Sequence, residues 1–240
     1  MVHIMTASAR PANSLRSWSI EPAPFGVAPG RVIVKAGRTT VLCTASIEES
    51  VPPWMKGLGK GWVTAEYNML PGSTAPRKGR DRGPKVDGRT TEIQRLIGRS
   101  LRAIVNLEAI GERSVTVDCD VLEADGGTRT ASITGAYVAL VQALRSTPAF
   151  ANGETLPLSD SIAAVSVGIV DGVPTLDLDY SQDFAAEVDM NVVMTGAGRY
   201  VELQGTGEEA TFDADQLAAM LALANQGIGK LSQLQRGALG

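Results

Sequence analysis

The 240-residue chain is 44% hydrophobic and 20% charged, and its 22 basic and 26 acidic side chains give a formal net charge of −4. That composition suits a globular protein with a substantial core and argues against a chain that coats nucleic acid over its whole surface. A single histidine, His3, and two cysteines, Cys43 and Cys119, without metal-ligand spacing argue against a Ser-His-Asp or Cys-His enzyme and against a histidine-rich metal site.

His3 is expected in a frayed terminus, and both cysteines lie in apolar, β-rich runs that predict buried reduced thiols. No uncharged apolar run reaches the roughly 18 residues a membrane span needs. Met1 to Ala9 lack the basic start and long apolar stretch of a secretory signal, so a cytoplasmic protein is expected. Arg31 to Ile47 carries Val32, Ile33, Val34, Val41, Leu42 and Ile47 around a Gly37 turn, which predicts a hairpin. Residues 50 to 61 read as loop, and Trp62 to Leu70 as a strand stopped by Pro71-Gly72. Residues 71 to 88 hold Gly, Pro, Ser and charge, predicting a long exposed loop of the kind that is usually functional or disordered.

From Thr91, the residues Ile93, Leu96, Ile97, Leu101, Ile104 and Val105 recur at helical spacing, and Arg95, Arg99 and Arg102 share the opposite face. Alternation over Val115 to Val121 predicts a strand, followed by a helix from about Thr130 with Ile133, Tyr137, Leu140, Val141 and Leu144 on one face. Residues 146 to 160, with Pro148, Gly153 and Pro157, read as a loop or subdomain junction. Strands follow at Ile162 to Val170, Thr175 to Leu178, Met190 to Met194 and Tyr200 to Gln204, with turns at Asp171-Gly172 and Gly196 to Gly198. A last helix runs from Asp213, an N-cap, with Leu217, Met220, Leu221 and Leu223 as its apolar face. This mixed order fits an α+β fold, with mixed sheets packed around central helices in one continuous core.

Chemistry concentrates in three places. Asp125-Gly126-Gly127-Thr128-Arg129 stands between a strand and a helix, where unpaired amides and glycines can cradle an anion, Thr128 adds a hydroxyl and Arg129 a planar fork. A tight turn alone would look the same, and no P-loop frame is present. Arg89 begins the basic-faced helix, where it could reach an anion at a neighbouring helix start or be one more solvated arginine. Asp183 and Asp189 bracket a loop leading into a strand, and such hard oxygens suit Mg²⁺ beside substrate phosphates; surface charge or caps is the plainer reading. Around these, Arg77, Lys78, Arg80, Arg82, Lys85, Arg89, Arg95, Arg99 and Arg102 are opposed by Asp81, Asp87 and Glu92. This basic patch can draw a polyanion to an acidic protein, and a solvated face would carry the same charges.

Taken together, these segments resemble RNase PH, the phosphorolytic tRNA-trimming nuclease family, over roughly residues 31 to 235. The matching runs include Val41 to Ala45, Gly61 to Tyr67, Gly88-Arg89-Thr90 with Glu92 to Ile97, Asp118 to Leu122, Ala124 to Ala131, Ala164 to Gly168, Asp189 to Val193 and Glu202 to Thr206. The resemblance implies a single α+β unit at residues 31–240, preceded by an atypical segment at 1–30, that assembles as a ring-shaped hexamer, a trimer of dimers. It implies attack of inorganic phosphate on the terminal 3′ phosphodiester of RNA, releasing nucleoside diphosphates; the reverse reaction adds nucleotides. Carried over, phosphate-binding residues fall on Arg89, Gly127, Thr128 and Arg129, and metal-binding or catalytic aspartates on Asp183 and Asp189, whose roles the sequence does not separate. Arg95 and Arg99, with Arg77 and Arg80 on the 77 to 85 loop, would guide RNA or join subunits. The N-terminus departs from the family's R-x-D-G-R-like opening: Arg10 to Trp18 follows no Asp-Gly pair. A non-catalytic RNA-binding ring subunit and a metal-dependent hydrolase are the alternatives.

Overall fold

The computed structural model describes residues 10–80, 87–151, 155–207 and 210–240. Met1 to Ala9 with His3, the loop residues Arg82 and Lys85, and Gly153 therefore lie outside the described residues.

Alternating β-branched residues build the first sheet from β1 (Trp18–Pro22), β2 (Gly30–Ala36), β3 (Thr39–Glu48), β4 (Trp62–Met69) and β5 (Ser114–Glu123). The strand order is β1-β2-β3-β5-β4, antiparallel except for the parallel β4-β5 pair. A parallel neighbour requires a crossover, supplied here by α1 (Gly88–Arg102) and the short α2 (Leu107–Ile110). Ile93, Leu96, Ile97 and Leu101 of α1 are buried as their spacing predicts. Cys43 and Cys119 are buried free thiols directly opposite one another in the β3-β5 register.

The second sheet holds β6 (Ile162–Val170), β7 (Val173–Leu176), β8 (Val188–Thr195) and β9 (Tyr200–Gly207) in the antiparallel order β7-β6-β8-β9. Asp171 and Gly172 both take left-handed φ, 51° and 73°, the twist a two-residue hairpin requires. This turn starts β7 two residues earlier than the apolar run suggests. Helix α3 (Thr128–Ser146) packs against β2, β3 and β5 of one sheet and β6 of the other. It is consequently buried on nearly every side, not on the single face its sequence suggests, with Ala131, Ser132, Thr134, Gly135 and Ala139 enclosed as well. Its buried hydroxyls are satisfied: Ser132 donates to the Thr128 carbonyl (2.8 Å) and Thr134 to Ala164 (3.2 Å). Helix α5 (Ala214–Leu239) covers β6 and β7, and Asp213 caps it with a reciprocal Gln216 contact.

Two further sequence expectations change. Residues 18–22, within the segment read as atypical, form the edge strand of the first sheet. The loop expected between Asp183 and Asp189 is mostly regular, because Asp183 lies on α4 (Tyr180–Ala185) and Asp189 on β8.

Candidate active site

The turn from β5 into α3 is built by two consecutive glycines, Gly126 and Gly127, at φ 74° and 65°. Left-handed backbone is inexpensive only without a Cβ, and space forbids one here too. A Cβ on Gly126 would stand 2.7 Å from the carbonyl carbon of Asp179 and 2.7 Å from the oxygen of Leu178, the backbone entering α4. Gly126 thus lets the start of α4 press against the start of α3. Gly127 is the N-cap of α3, and with no side chain it leaves the first amides of a 19-residue helix uncapped from within. Those amides and the helix dipole form the anion cradle.

Thr128, the first residue of α3, is buried, and its Oγ1 lies 2.8 Å from the Tyr67 hydroxyl of β4. Burial pushes the Tyr67 phenol above its ordinary pKa, so it stays a neutral hydrogen-bond partner at physiological pH. Either hydroxyl can donate across this contact, and when Tyr67 donates, the threonine hydrogen is free for an anion.

A cavity of about 480 Å³ opens above this turn, lined by Arg89, Gly126, Gly127, Thr128, Tyr180 and Asp183 among others. Arg89 reaches it from the first turn of α1, and Asp183 from α4, which is fixed by a capping box between Asp179 and Gln182. Surrounding protein and then the charge of Asp189 raise the Asp183 pKa, opposed by Arg89, Arg129 and Arg16. Two carboxylates that act on each other beside an anion cradle fit a divalent cation, which relieves their repulsion and commonly takes one or two such ligands.

The other charged candidates have varied surroundings. The Arg129 side chain, 15% exposed, donates through Nη1 to Gln204 (2.7 Å) and pairs with Glu92 (3.3 Å), and its charge acts on both Tyr67 and Asp183. Arg99 is held by Glu202 of β9 in a two-pronged ion pair, with Nη2 at 2.9 and 3.0 Å from its two oxygens. Arg102 lies over the Trp62 ring at 4.6 Å and donates to the Val63 carbonyl, so it does not continue the solvent-facing stripe. Arg77, Arg80 and Arg95 are exposed.

The sequence did not single out the residues that hold the cradle from behind. Arg16, 6% exposed, pairs with the fully buried Asp177 at 2.8 Å and donates through Nη1 to the Asp125 carbonyl at 2.6 Å. Asp177 also accepts from the Arg16 amide (2.8 Å) and from Trp18 Nε1 (2.7 Å). Arg10 donates to the carbonyls of Leu176 and Asp177 and to Gln182 Oε1, each at 2.9 Å, tying the chain's opening to α4. Thr39 completes the clamp, accepting from the Asp125 amide and donating to the Gly126 carbonyl. Arg10 and Arg16 stand in the opening segment that lacks the Asp-Gly pair, and nothing local there marks their distant partners.

Residues 14–145 match the RNase PH model described as 3′ exoribonuclease family, domain 1, and residues 160–227 match domain 2 of the same family. The chain belongs to this 3′ exoribonuclease family. The two matches part where the chain crosses from the first sheet to the second. A protein of Rhodopirellula baltica named Ribonuclease PH is 62% identical over 239 residues, covering 98% of this chain and 97% of its own. One of the same name from Halalkalibacterium halodurans is 57% identical over 241 residues, covering 98% and 93%. Among solved structures, rice (Oryza sativa) Rrp46 superposes with a TM-score of 0.78 at 17% identity, covering 98% of this chain and all of that one. The Archaeoglobus fulgidus exosome with RNA bound to the active site gives 0.76 at 22% identity, covering 93% and 90%. At those identities the two structures speak for the RNase PH-like fold alone.

Proposed function

We propose that this chain is a phosphate-dependent 3′-to-5′ exoribonuclease that trims the 3′ ends of tRNA precursors and other RNA. The observation that carries this reading is the convergence of Arg89, the uncapped start of α3 and Asp183 on one cavity. Inorganic phosphate on the Gly127-Thr128 amides, held by the Thr128 hydroxyl and oriented by Arg89, presents an oxygen to the terminal phosphodiester. That oxygen bonds to phosphorus, the bond to the penultimate 3′ oxygen breaks, and a nucleoside diphosphate leaves behind a chain one nucleotide shorter. The reverse reaction adds nucleotides from diphosphates. Such transfer asks the protein for positioning and electrostatic stabilisation, not for a nucleophile of its own.

Arg129, paired with Glu92 and donating to Gln204, adds positive charge beside the phosphate, and that charge acts on both Tyr67 and Asp183. Asp183 and Asp189 would hold Mg²⁺, which supplies neutralisation of the charge developing on the transferred phosphoryl group. If one carboxyl acts as general acid in place of metal ligation, Asp183, which lines the cavity, is the one placed to hand a proton to the leaving oxygen. The exposed Arg77, Arg80 and Arg95 supply a surface for the RNA backbone, while Arg99, paired with Glu202, contributes less. The family resemblance supports a hexameric trimer of dimers working in the cytoplasm.

A tRNA bearing extra 3′ nucleotides, incubated with Mg²⁺ with and without inorganic phosphate, tests this. Shortening only with phosphate is the expected result. Equal shortening without phosphate identifies a hydrolase, and no shortening in either arm identifies a non-catalytic ring subunit.

A further inference from the structure

Helix α4 has six residues, none of them buried, yet it carries two large aromatic side chains one turn apart. Tyr180 is 61% and Phe184 83% exposed. Their rings stack with centroids 6.4 Å apart and planes 29° from parallel. A four-residue spacing places both on one face of the helix. Neither ring contributes to the core, and paired apolar surface left in water marks a site of interaction. Its position is informative: Tyr180 lines the same cavity as Arg89, Thr128 and Asp183. It is also held rigidly, because α4 is capped by Asp179 with Gln182, tied to Arg10 through Gln182 and pressed against Gly126 at Asp179 and Tyr180.

We propose that Tyr180 and Phe184 form a stacking platform for the 3′-terminal nucleobase of the RNA. The inference rests on the phosphorolytic reading above. The nucleotide under attack has its 5′ phosphate next to the inorganic phosphate in the cradle, which leaves its base within one nucleotide's reach, on the side of the cavity that α4 lines. An aromatic face binds any base through its π surface and selects none, which suits an enzyme that removes successive nucleotides of differing identity. The ring pair supplies affinity where Arg89 and the helix amides supply only phosphate contacts.

The test uses the full-length protein with RNA oligonucleotides ending in an intact or an abasic 3′ nucleotide, comparing wild type with Tyr180→Ala, Phe184→Ala and Tyr180→Phe. Wild type should prefer the intact end by about 5- to 100-fold in kcat/KM, the range of one base-aromatic stack. The alanine variants should lose most of that preference through KM for the intact RNA, with KM for phosphate little changed in Phe184→Ala, and Tyr180→Phe should retain it. A full preference in both alanine variants, or equal losses on intact and abasic RNA, overturns the proposal. So does an altered assembly mass by light scattering with unaltered preference, which would assign the rings to a contact between copies. Quenching of a 3′-terminal 2-aminopurine reads stacking without turnover. Its loss in Phe184→Ala supports the platform even if wild type proves hydrolytic, and undiminished quenching in both alanine variants overturns it.

Discussion

Asp177→Asn isolates what the buried ion pair does for the cradle. Asp177 sits at φ 58°, a left-handed conformation that asparagine tolerates, so the substitution leaves the backbone unstrained and removes only charge. One of its two carboxylate oxygens becomes an N–H₂ group facing donors: Asp177 Oδ2 receives the Arg16 amide and Trp18 Nε1, and Oδ1 receives Arg16 Nη2. Whichever way the amide turns, a donor meets a donor, and the Arg16 guanidinium, 6% exposed, is left buried without its counter-charge. Breaking such a pair on one side costs about 3–5 kcal/mol. For a chain of this size about 2–4 °C of melting temperature accompanies each kcal/mol, so a fall of about 6–20 °C is expected. Arg16 also fixes the Asp125 carbonyl, and KM for phosphate should rise on the order of tenfold, the scale on which loss of a supporting contact is felt at a binding site. Melting at fixed protein concentration and phosphate titration at saturating RNA measure the two effects. A variant that melts within about 2 °C of wild type with unchanged KM for phosphate would refute the clamp.

Three further outcomes follow from the same geometry. Tyr67→Phe removes the partner of the Thr128 hydroxyl and should raise KM for phosphate about 5-fold with little change in kcat; an unchanged KM would make the phenol a core filler only. Gly126→Ala forces a Cβ into the Leu178-Asp179 backbone at positive φ and should lose activity and stability together, whereas Gly229→Ala, in open space on α5, should gain about 0.5–1 kcal/mol; similar behaviour of the two in melting assays would contradict the close approach of α3 and α4. The raised Asp183 pKa means that its ionised form detracts from stability above the ordinary carboxylate range and has no such effect once both folded and unfolded chains are protonated. Asp183→Asn should therefore melt above wild type at about pH 7 without divalent cations and level with it near about pH 3, and a lower melting temperature at pH 7 would reverse the sign of the argument.

Local signals carried much of this into the sequence. The β2-β3 hairpin, α1 and the Asp213 cap each follow from spacing or turn chemistry within one element, and Gly127, Thr128, Arg89 and Asp183, singled out from separate motifs, line one cavity. Helix α3 misled because a helix between two sheets is buried all round and shows no single apolar face. Strand β1 was hidden by Pro22, which only an edge strand accepts. Helix α4 announced itself only through Asp179 and Gln182, three residues apart, a capping box too short of apolar periodicity to be read. Arg129 and Arg99 were legible as charge, but their partners Gln204 and Glu202 lie on β9, far along the chain. The Arg16–Asp177 pair joins residues 161 positions apart, and no local pattern could announce it.

The central claim is that phosphate bound at the Gly127-Thr128 cradle is the attacking group. Reaction of 3′-extended tRNA with ³²P-labelled inorganic phosphate tests it most directly: the label should appear in the β-phosphate of released nucleoside diphosphates, and Arg89→Ala should suppress that transfer. Release of unlabelled nucleoside monophosphates in its place would contradict the account.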